Sequence, residues 1–271
     1  MYGRRLYHAC GLTIASEIAI PGLAPGYGEP QCVVRLGPVA PGLERGAILC
    51  DPAFGTIEVS RGCEILADPT PGADPEVLSD WILGPALALL LHQRGLLVLH
   101  AAVVSRHGAA LAIAGDSGAG KSTLALALCR AGCELVADDQ AVLQDSAPAP
   151  LCLPTFPRLK APADAGRAAH LALGARFFRA EPVPLRCFYM LADGDVIGSA
   201  PLGPAEAMFA LARNSFLGAV LRNSDTEERH FRQCAALAEA VPVVRLTRPR
   251  RFACLEAVAR HVLEGCDDRV A

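Results

Sequence analysis

At 271 residues, 52% hydrophobic and 20% charged, the chain has ample apolar side chain for a core and is unlike a disordered sequence; its length allows one large domain or two small ones, at roughly 150 residues each. A net charge of −3 excludes the basic field of a nucleic-acid binder, and the longest apolar run, residues 81–91, is broken by Pro85 and too short to span a bilayer. The eleven cysteines are odd in number, lack any Cys-x-x-Cys and mostly sit among apolar neighbours, so they read as reduced thiols without disulfides or zinc. No signal peptide is expected either, since Glu17 interrupts the nearest apolar candidate, and these readings together point to a soluble, cytoplasmic protein.

Residues 1–73 read as a small β-rich unit of short extended pieces, at 12–14, 32–36 and 56–59, punctuated by Pro21-Gly22, Pro25-Gly26 and Pro41-Gly42. The expectation is a small antiparallel β unit with no recognisable chemistry. Residues 74–271 then form an α/β domain. Asp74-Pro75-Glu76 is a helix start, with a carboxylate cap, proline at the first helical position and an acid in the first turn. Val77, Leu78, Trp81 and Ile82 mark its buried face, Pro85 should kink it, and Gly95 should stop it. Residues 96–104 read as one buried strand with a single polar interruption, His100, followed by a hairpin into the strand at 109–114.

That strand runs into Gly115-Asp116-Ser117-Gly118-Ala119-Gly120-Lys121-Ser122-Thr123, which fits Gly-x-x-x-x-Gly-Lys-Ser. An apolar helix follows at 121–130, expected to be buried all round, then the strand 134–137 and the pair Asp138-Asp139. A loop of this kind cradles phosphate because successive N–H groups and the helix amino end point into one concavity. The glycines permit the backbone path, Lys121 neutralises the β and γ phosphates, Ser122 offers Mg²⁺ a hydroxyl, and Thr123 assists at the helix start. Asp138 and Asp139 lie one helix and one strand beyond Lys121, so they should return beside the phosphates. Neighbouring residues on an extended segment face opposite ways, so one carboxylate can face metal and the other an incoming hydroxyl. His100, on the strand paired with the loop's own strand, is in register to reach them. Residues 147–162 read as a Pro-rich irregular stretch bearing Arg158 and Lys160. Further on come a buried strand at 185–191, helices at 204–220 and 226–240, a strand at 241–246 and a closing helix at 252–263. The basic cluster Arg245, Arg248, Arg250, Arg251 reads as a solvated strand-to-helix corner.

Three pieces together, Leu99-His100-Ala101-Ala102-Val103-Val104, Gly115 to Ser122 as quoted, and Val136-Ala137-Asp138-Asp139, resemble the catalytic domain of HPr kinase/phosphorylase in order and spacing. The resemblance covers residues 96–145. It implies a P-loop domain of the HPr kinase and phosphoenolpyruvate-carboxykinase type, ATP and Mg²⁺ as cofactors, and phosphorylation of a serine hydroxyl. By the same resemblance Asp139 would be the base, supported by Asp138 and His100, with Ser122 and Asp138 on the metal and Lys121 on phosphate. The residues themselves leave open which aspartate is base and which is metal-side. The second, Gly-rich signature of the bifunctional enzymes is absent between residues 140 and 200, so a kinase without phosphorylase activity is expected. Shorter HPr-kinase-like proteins associated with lasso-peptide genes phosphorylate a precursor peptide. The expected partner is therefore a small protein or peptide carrying the acceptor serine, HPr-like or lasso-type, with no nucleic acid and no membrane. The family's rings of subunits leave a homo-oligomer open. The alternatives are a small-molecule kinase on the same fold and a nucleotide-binding regulatory module without transfer.

Overall fold

The computed structural model describes residues 4–40, 47–161, 169–216 and 225–270. Seven strands build the N-terminal sheet: β1 (Arg5–Ala9), β2 (Leu12–Ser16), β3 (Ala24–Pro25), β4 (Cys32–Leu36), β5 (Ala47–Asp51), β6 (Gly55–Ser60) and β7 (Glu64–Pro69). Their spatial order is β3-β1-β2-β4-β7-β6-β5. The sheet is mixed, not antiparallel as the sequence led us to expect, because β4 lies parallel to both β2 and β7. Parallel neighbours need a long crossover. Residues 17–31 supply one, so the Pro-Gly pairs there punctuate a crossover and not hairpin turns.

Asp74 caps the next helix, its carboxylate accepting from Glu76 N at 2.9 Å. The helix runs as α1 (Pro75–Trp81), a π-helical turn (Ile82–Ala86) that contains Pro85, and α2 (Leu87–Gln93). Proline cannot donate to the ladder, and the missing bond falls within the π turn that contains it. Gly95, at φ 83°, ends the helix where the sequence places the stop. From Leu87 to His92 every residue of α2 is buried. Its Gln93 amide bridges Gly62 N and Val59 O at 2.8 and 2.9 Å, and Trp81 packs on Phe54 with ring centroids 4.3 Å apart. The helix therefore shares one core with the N-terminal sheet.

The second sheet contains β8 (Leu97–Leu99), β9 (Ala101–Arg106), β10 (Ala109–Ala114), β11 (Glu134–Ala137), β12 (Ala141–Gln144) and β13 (Leu151–Leu153). A separate two-stranded ribbon joins β14 (Arg158–Ala161) to β15 (Ala169–Ala172). The second sheet is completed by β16 (Val183–Asp193), β17 (Gly198–Pro201) and β18 (Val243–Arg248). Its main path is β11-β9-β10-β16-β13-β12-β8, with β18 beside β16 and β17 at the far edge. The hairpin β9–β10 forms as expected, turning at His107 and Gly108 with φ of 51° and 75°, the positive values a tight hairpin demands. Residues alternate between the two faces of β9 and β10. Ala101, Val103, Ala110, Ala112 and Ala114 pack toward α4 (Pro204–Arg213) and α5 (Asp225–Ala240). Ala102, Val104, Leu111 and Ile113 pack toward α3 (Lys121–Arg130) and α6 (Leu255–Val270). The architecture is thus mixed α/β, with helices on both faces of the sheet that carries the glycine loop.

Several expectations are corrected. Helix α3 buries one face only; Ser122, Thr123, Leu126 and Ala127 are half-buried and Arg130 is exposed, because α6 covers it from one side while the site lies open on another. The stretch 147–162 is less irregular than its prolines imply: it holds β13 and β14, and Pro148, Pro150, Pro154 and Pro157 fall outside both strands, where proline costs no ladder bond. The helix at 204–220 ends at Arg213 with Asn214 as its cap, and residues 217–220 lie outside the described residues. Among the described residues no helix is long and apolar enough to cross a membrane.

Candidate active site

The site forms where one long antiparallel pair of strands breaks and passes from one half of the sheet to the other. The predicted strand 96–104 is interrupted at His100, giving β8 and β9; opposite it, Asp138-Asp139-Gln140 interrupt β11 and β12. Val103 pairs with Ala137 on one side of the break and Leu99 with Ala141 on the other. At the break, His100 N donates to Asn214 O at 2.6 Å, outside the ladder. Asp139 has φ 67°, a left-handed conformation that aspartate adopts more readily than most residues and that tends to occur at functional sites.

This geometry separates the two carboxylates by function of their partners. Asp138 is buried; its Oδ1 accepts from Ser122 Oγ at 2.9 Å and its Oδ2 from Lys160 N at 2.6 Å. Burial pushes its pKa up to about 6, against the lowering effect of those two hydrogen bonds. Asp139 has other partners, lying 3.4 Å from His100 Nε2 through Oδ1 and 3.5 Å from Lys160 Nζ through Oδ2. Burial holds His100 below its ordinary pKa despite Asp139, so the imidazole favours its neutral form. The His100 ring stacks on Phe216, centroids 5.8 Å apart.

The glycine loop adopts the backbone its sequence asks for. Gly115, Gly118 and Gly120 have φ of 150°, 74° and 93°. A Cβ at Gly115 would also stand 3.1 Å from Leu191 Cβ. Lys121 is buried, with its pKa lowered by desolvation, and its Nζ donates to Gly115 O at 2.8 Å and Asp116 O at 3.2 Å. Asp116, Ser117 and Gly118 are exposed at the loop's crown, while Ala119, Gly120, Ser122 and Thr123 are half-buried. The structure thus joins Ser122 to Asp138 and His100 to Asp139 by direct contact, with Lys160 touching both aspartates and Lys121 within electrostatic reach of both.

Asn214 and Arg248 escaped the sequence reading as contributors, whereas Arg158 and Lys160 were already singled out on the stretch 147–162. Asn214 caps α4 and also accepts from Gly115 N through Oδ1 at 3.2 Å, so the start of the loop and His100 share one anchor. Helix-capping Asn was the available signal. Lys160 and Arg158 sit two apart on β14 and both line the cavity beside Asp139, with Leu159 buried on the opposite side. Arg248 corrects the solvated-corner reading: it is buried, bonds Asp193 Oδ1 at 2.8 Å, and donates to Ala119 O. Val244, Leu246 and Arg248 alternate along β18, and that period could have flagged an inward arginine. Arg250 donates to the next loop carbonyl, Gly118 O, at 2.6 Å.

Two cavities adjoin this machinery and share no lining residue. One, of about 250 Å³, opens beside the carboxylates between Trp81, Leu83, Phe156, Arg158, Lys160 and Phe216. The other, of about 320 Å³, lies along the glycine loop and the first turn of α3, between Thr123, Leu124, Arg250, Phe252 and Leu255. For a divalent ion, the described residues hold no group of three or more His, Cys, Asp or Glu side chains. Ser122 Oγ and Asp138 Oδ1 are nonetheless the hard-oxygen pair that suits Mg²⁺, which usually takes one or two protein oxygens and completes its shell with phosphate and water.

No protein-family model matches the sequence, and no curated protein is similar to it. Among solved structures, the HPr(Ser) kinase/phosphatase from Coxiella burnetii superposes with a TM-score of 0.34 at 14% identity, covering 63% of this chain and 98% of that one.

Proposed function

We propose that the protein is an ATP-dependent kinase that transfers the γ-phosphoryl group to a serine hydroxyl on a small protein or precursor peptide. The observation that carries the reading is the convergence of unlike groups on one spot. A phosphate loop with its lysine, a hydroxyl bonded to one carboxylate (Ser122 to Asp138, 2.9 Å), and a second carboxylate aimed at a cavity all meet there. Phosphate binding alone explains Lys121 but leaves Asp139 and its left-handed backbone without a purpose.

In this reading Ser122 and Asp138 hold Mg²⁺, which neutralises charge on the β and γ oxygens. Lys121 leaves its carbonyl partners for the phosphates, and Asp139 takes the proton from the acceptor hydroxyl as the phosphoryl group moves. His100 and Lys160 orient Asp139, and Lys160 also adds positive charge where negative charge is delivered. The eleven free thiols suit a reducing compartment, in keeping with work in the cytoplasm. A second reading, a small-molecule kinase, draws support from the cavity of about 250 Å³, which admits one side chain or one small metabolite but no folded surface. Labelled ATP offered with a serine-peptide pool and, separately, with a metabolite pool tests the two. The kinase reading expects label in the peptides and none with Lys121→Ala; label confined to the metabolites overturns the peptide acceptor.

A further inference from the structure

The second cavity is not needed to bind a triphosphate, and its composition is unlike that of the first. It begins at the loop residues Gly118 to Gly120, continues past Thr123 and Leu124, and is closed on the far side by Arg250, Phe252 and Leu255. Phe252 is 83% exposed, a large aromatic ring left in solvent beside a phosphate loop. The short 3₁₀ turn Phe252–Cys254 that bears it is held in place from both ends. Arg248 and Arg250 are bonded to loop carbonyls Ala119 O and Gly118 O upstream, and α6 packs against α3 downstream. The ring's backbone is therefore fixed relative to the loop, although the ring itself is exposed.

The two cavities also give the site a direction. Asp138 and Asp139 line the first, so the reacting end of a triphosphate on Lys121 and Ser122 points there. The opposite end must leave past Thr123, the next residue along the helix, and Thr123 lines the second cavity. We propose that this cavity is the subsite for the nucleoside of the phosphate donor. The base stacks on Phe252, the ribose lies against Leu124 and Leu255, and Arg250 stands over the phosphate that joins them. The inference rests on the kinase reading for the phosphate site and adds the orientation of the donor and the residues that recognise its non-reacting part. Aromatic stacking reads the face of a base, so removing the ring weakens binding without touching the phosphate contacts.

The test compares ATP with inorganic tripolyphosphate, each titrated with Mg²⁺ into wild type, Phe252→Ala and Lys121→Ala by calorimetry. Phe252→Ala should bind ATP roughly ten-fold more weakly, the order expected for loss of one stacked base, and tripolyphosphate as wild type does. Lys121→Ala should lose both ligands. If Phe252→Ala binds ATP unchanged, or weakens both ligands alike, the subsite is wrong while phosphate binding at Lys121 stands. If wild type binds neither ligand, the phosphate site itself is wrong, and the subsite falls with it. Photolabelling with 8-azido-ATP gives a second readout that needs no variant. Label between residues 248 and 258 supports the assignment, and label on the cavity wall at 81–85 or 156–160 reverses the donor's direction and overturns it.

Discussion

Asp138→Asn should make the protein more stable and less active at the same time. Asp138 is buried and its folded pKa is raised from 3.8 to about 6. A shift of about two units corresponds to about 3 kcal/mol of penalty for keeping the folded carboxylate charged. Because the folded pKa lies above the unfolded one, the native state binds more protons in this window. The favourable contribution is fully present below about pH 4 and is lost as the pH rises through about 6. Asparagine is nearly isosteric and never ionises. Its oxygen can still accept from Lys160 N while its amide donates to Ser122 Oγ, at a loss of about 1 kcal/mol for the weaker, uncharged bonds. The variant should therefore match wild type near about pH 4 and exceed it by about 2 kcal/mol near about pH 8. Urea unfolding at the two pH values measures the gap. Mg²⁺ with nucleotide should narrow it at the higher pH, since that complex binds native wild type more tightly. A gap of the same size at both pH values, or a variant less stable at the higher one, would refute the argument that burial dominates at Asp138.

Other outcomes follow from the same geometry. His92 is buried with Nε2 3.0 Å from Phe216 O, and burial lowers its pKa to about 4. Its folded pKa is depressed, so its contribution is present above about pH 6.5 and lost as the pH falls toward about 4. His92→Gln should flatten that acid limb by about 3 kcal/mol in urea titrations, and an unchanged limb contradicts this. Arg248→Lys reaches Ala119 O or Asp193 but not both; it should cost about 2 kcal/mol of stability, nearly all from the loop carbonyl, because Asp193 is exposed. Unfolding midpoints within error of wild type would mean the loop does not depend on Arg248.

What could be read from the sequence was what is local. The strand, glycine loop, helix and aspartate pair are contiguous, and the loop demands glycine at positions where φ is positive, as at Gly115, Gly118 and Gly120. His100 was recoverable because the β9–β10 hairpin fixes its register against the loop strand. The parallel pairing of β4 was not, since strand direction depends on where a crossover travels and not on the strand's own residues. Arg248 was misread because a run of arginines is usually solvated, whereas this one finds a carbonyl and a carboxylate from elements remote in sequence. Asp138 and Asp139 were expected to diverge by simple strand alternation. They line one cavity and differ in their partners, with Asp139 left-handed at a break in the ladder, a feature that no pattern of apolar residues encodes.

The central claim is that Asp139 acts on the acceptor hydroxyl while the phosphate loop holds the donor. The direct measurement is transfer from γ-labelled ATP to a serine-peptide library, run beside ATP binding, for wild type and Asp139→Asn. The account predicts acid-stable phosphoserine with wild type. It predicts unchanged ATP affinity for the variant and a transfer rate lower by roughly 10²–10⁴, the usual contribution of a general base. A variant that transfers at the wild-type rate would contradict it.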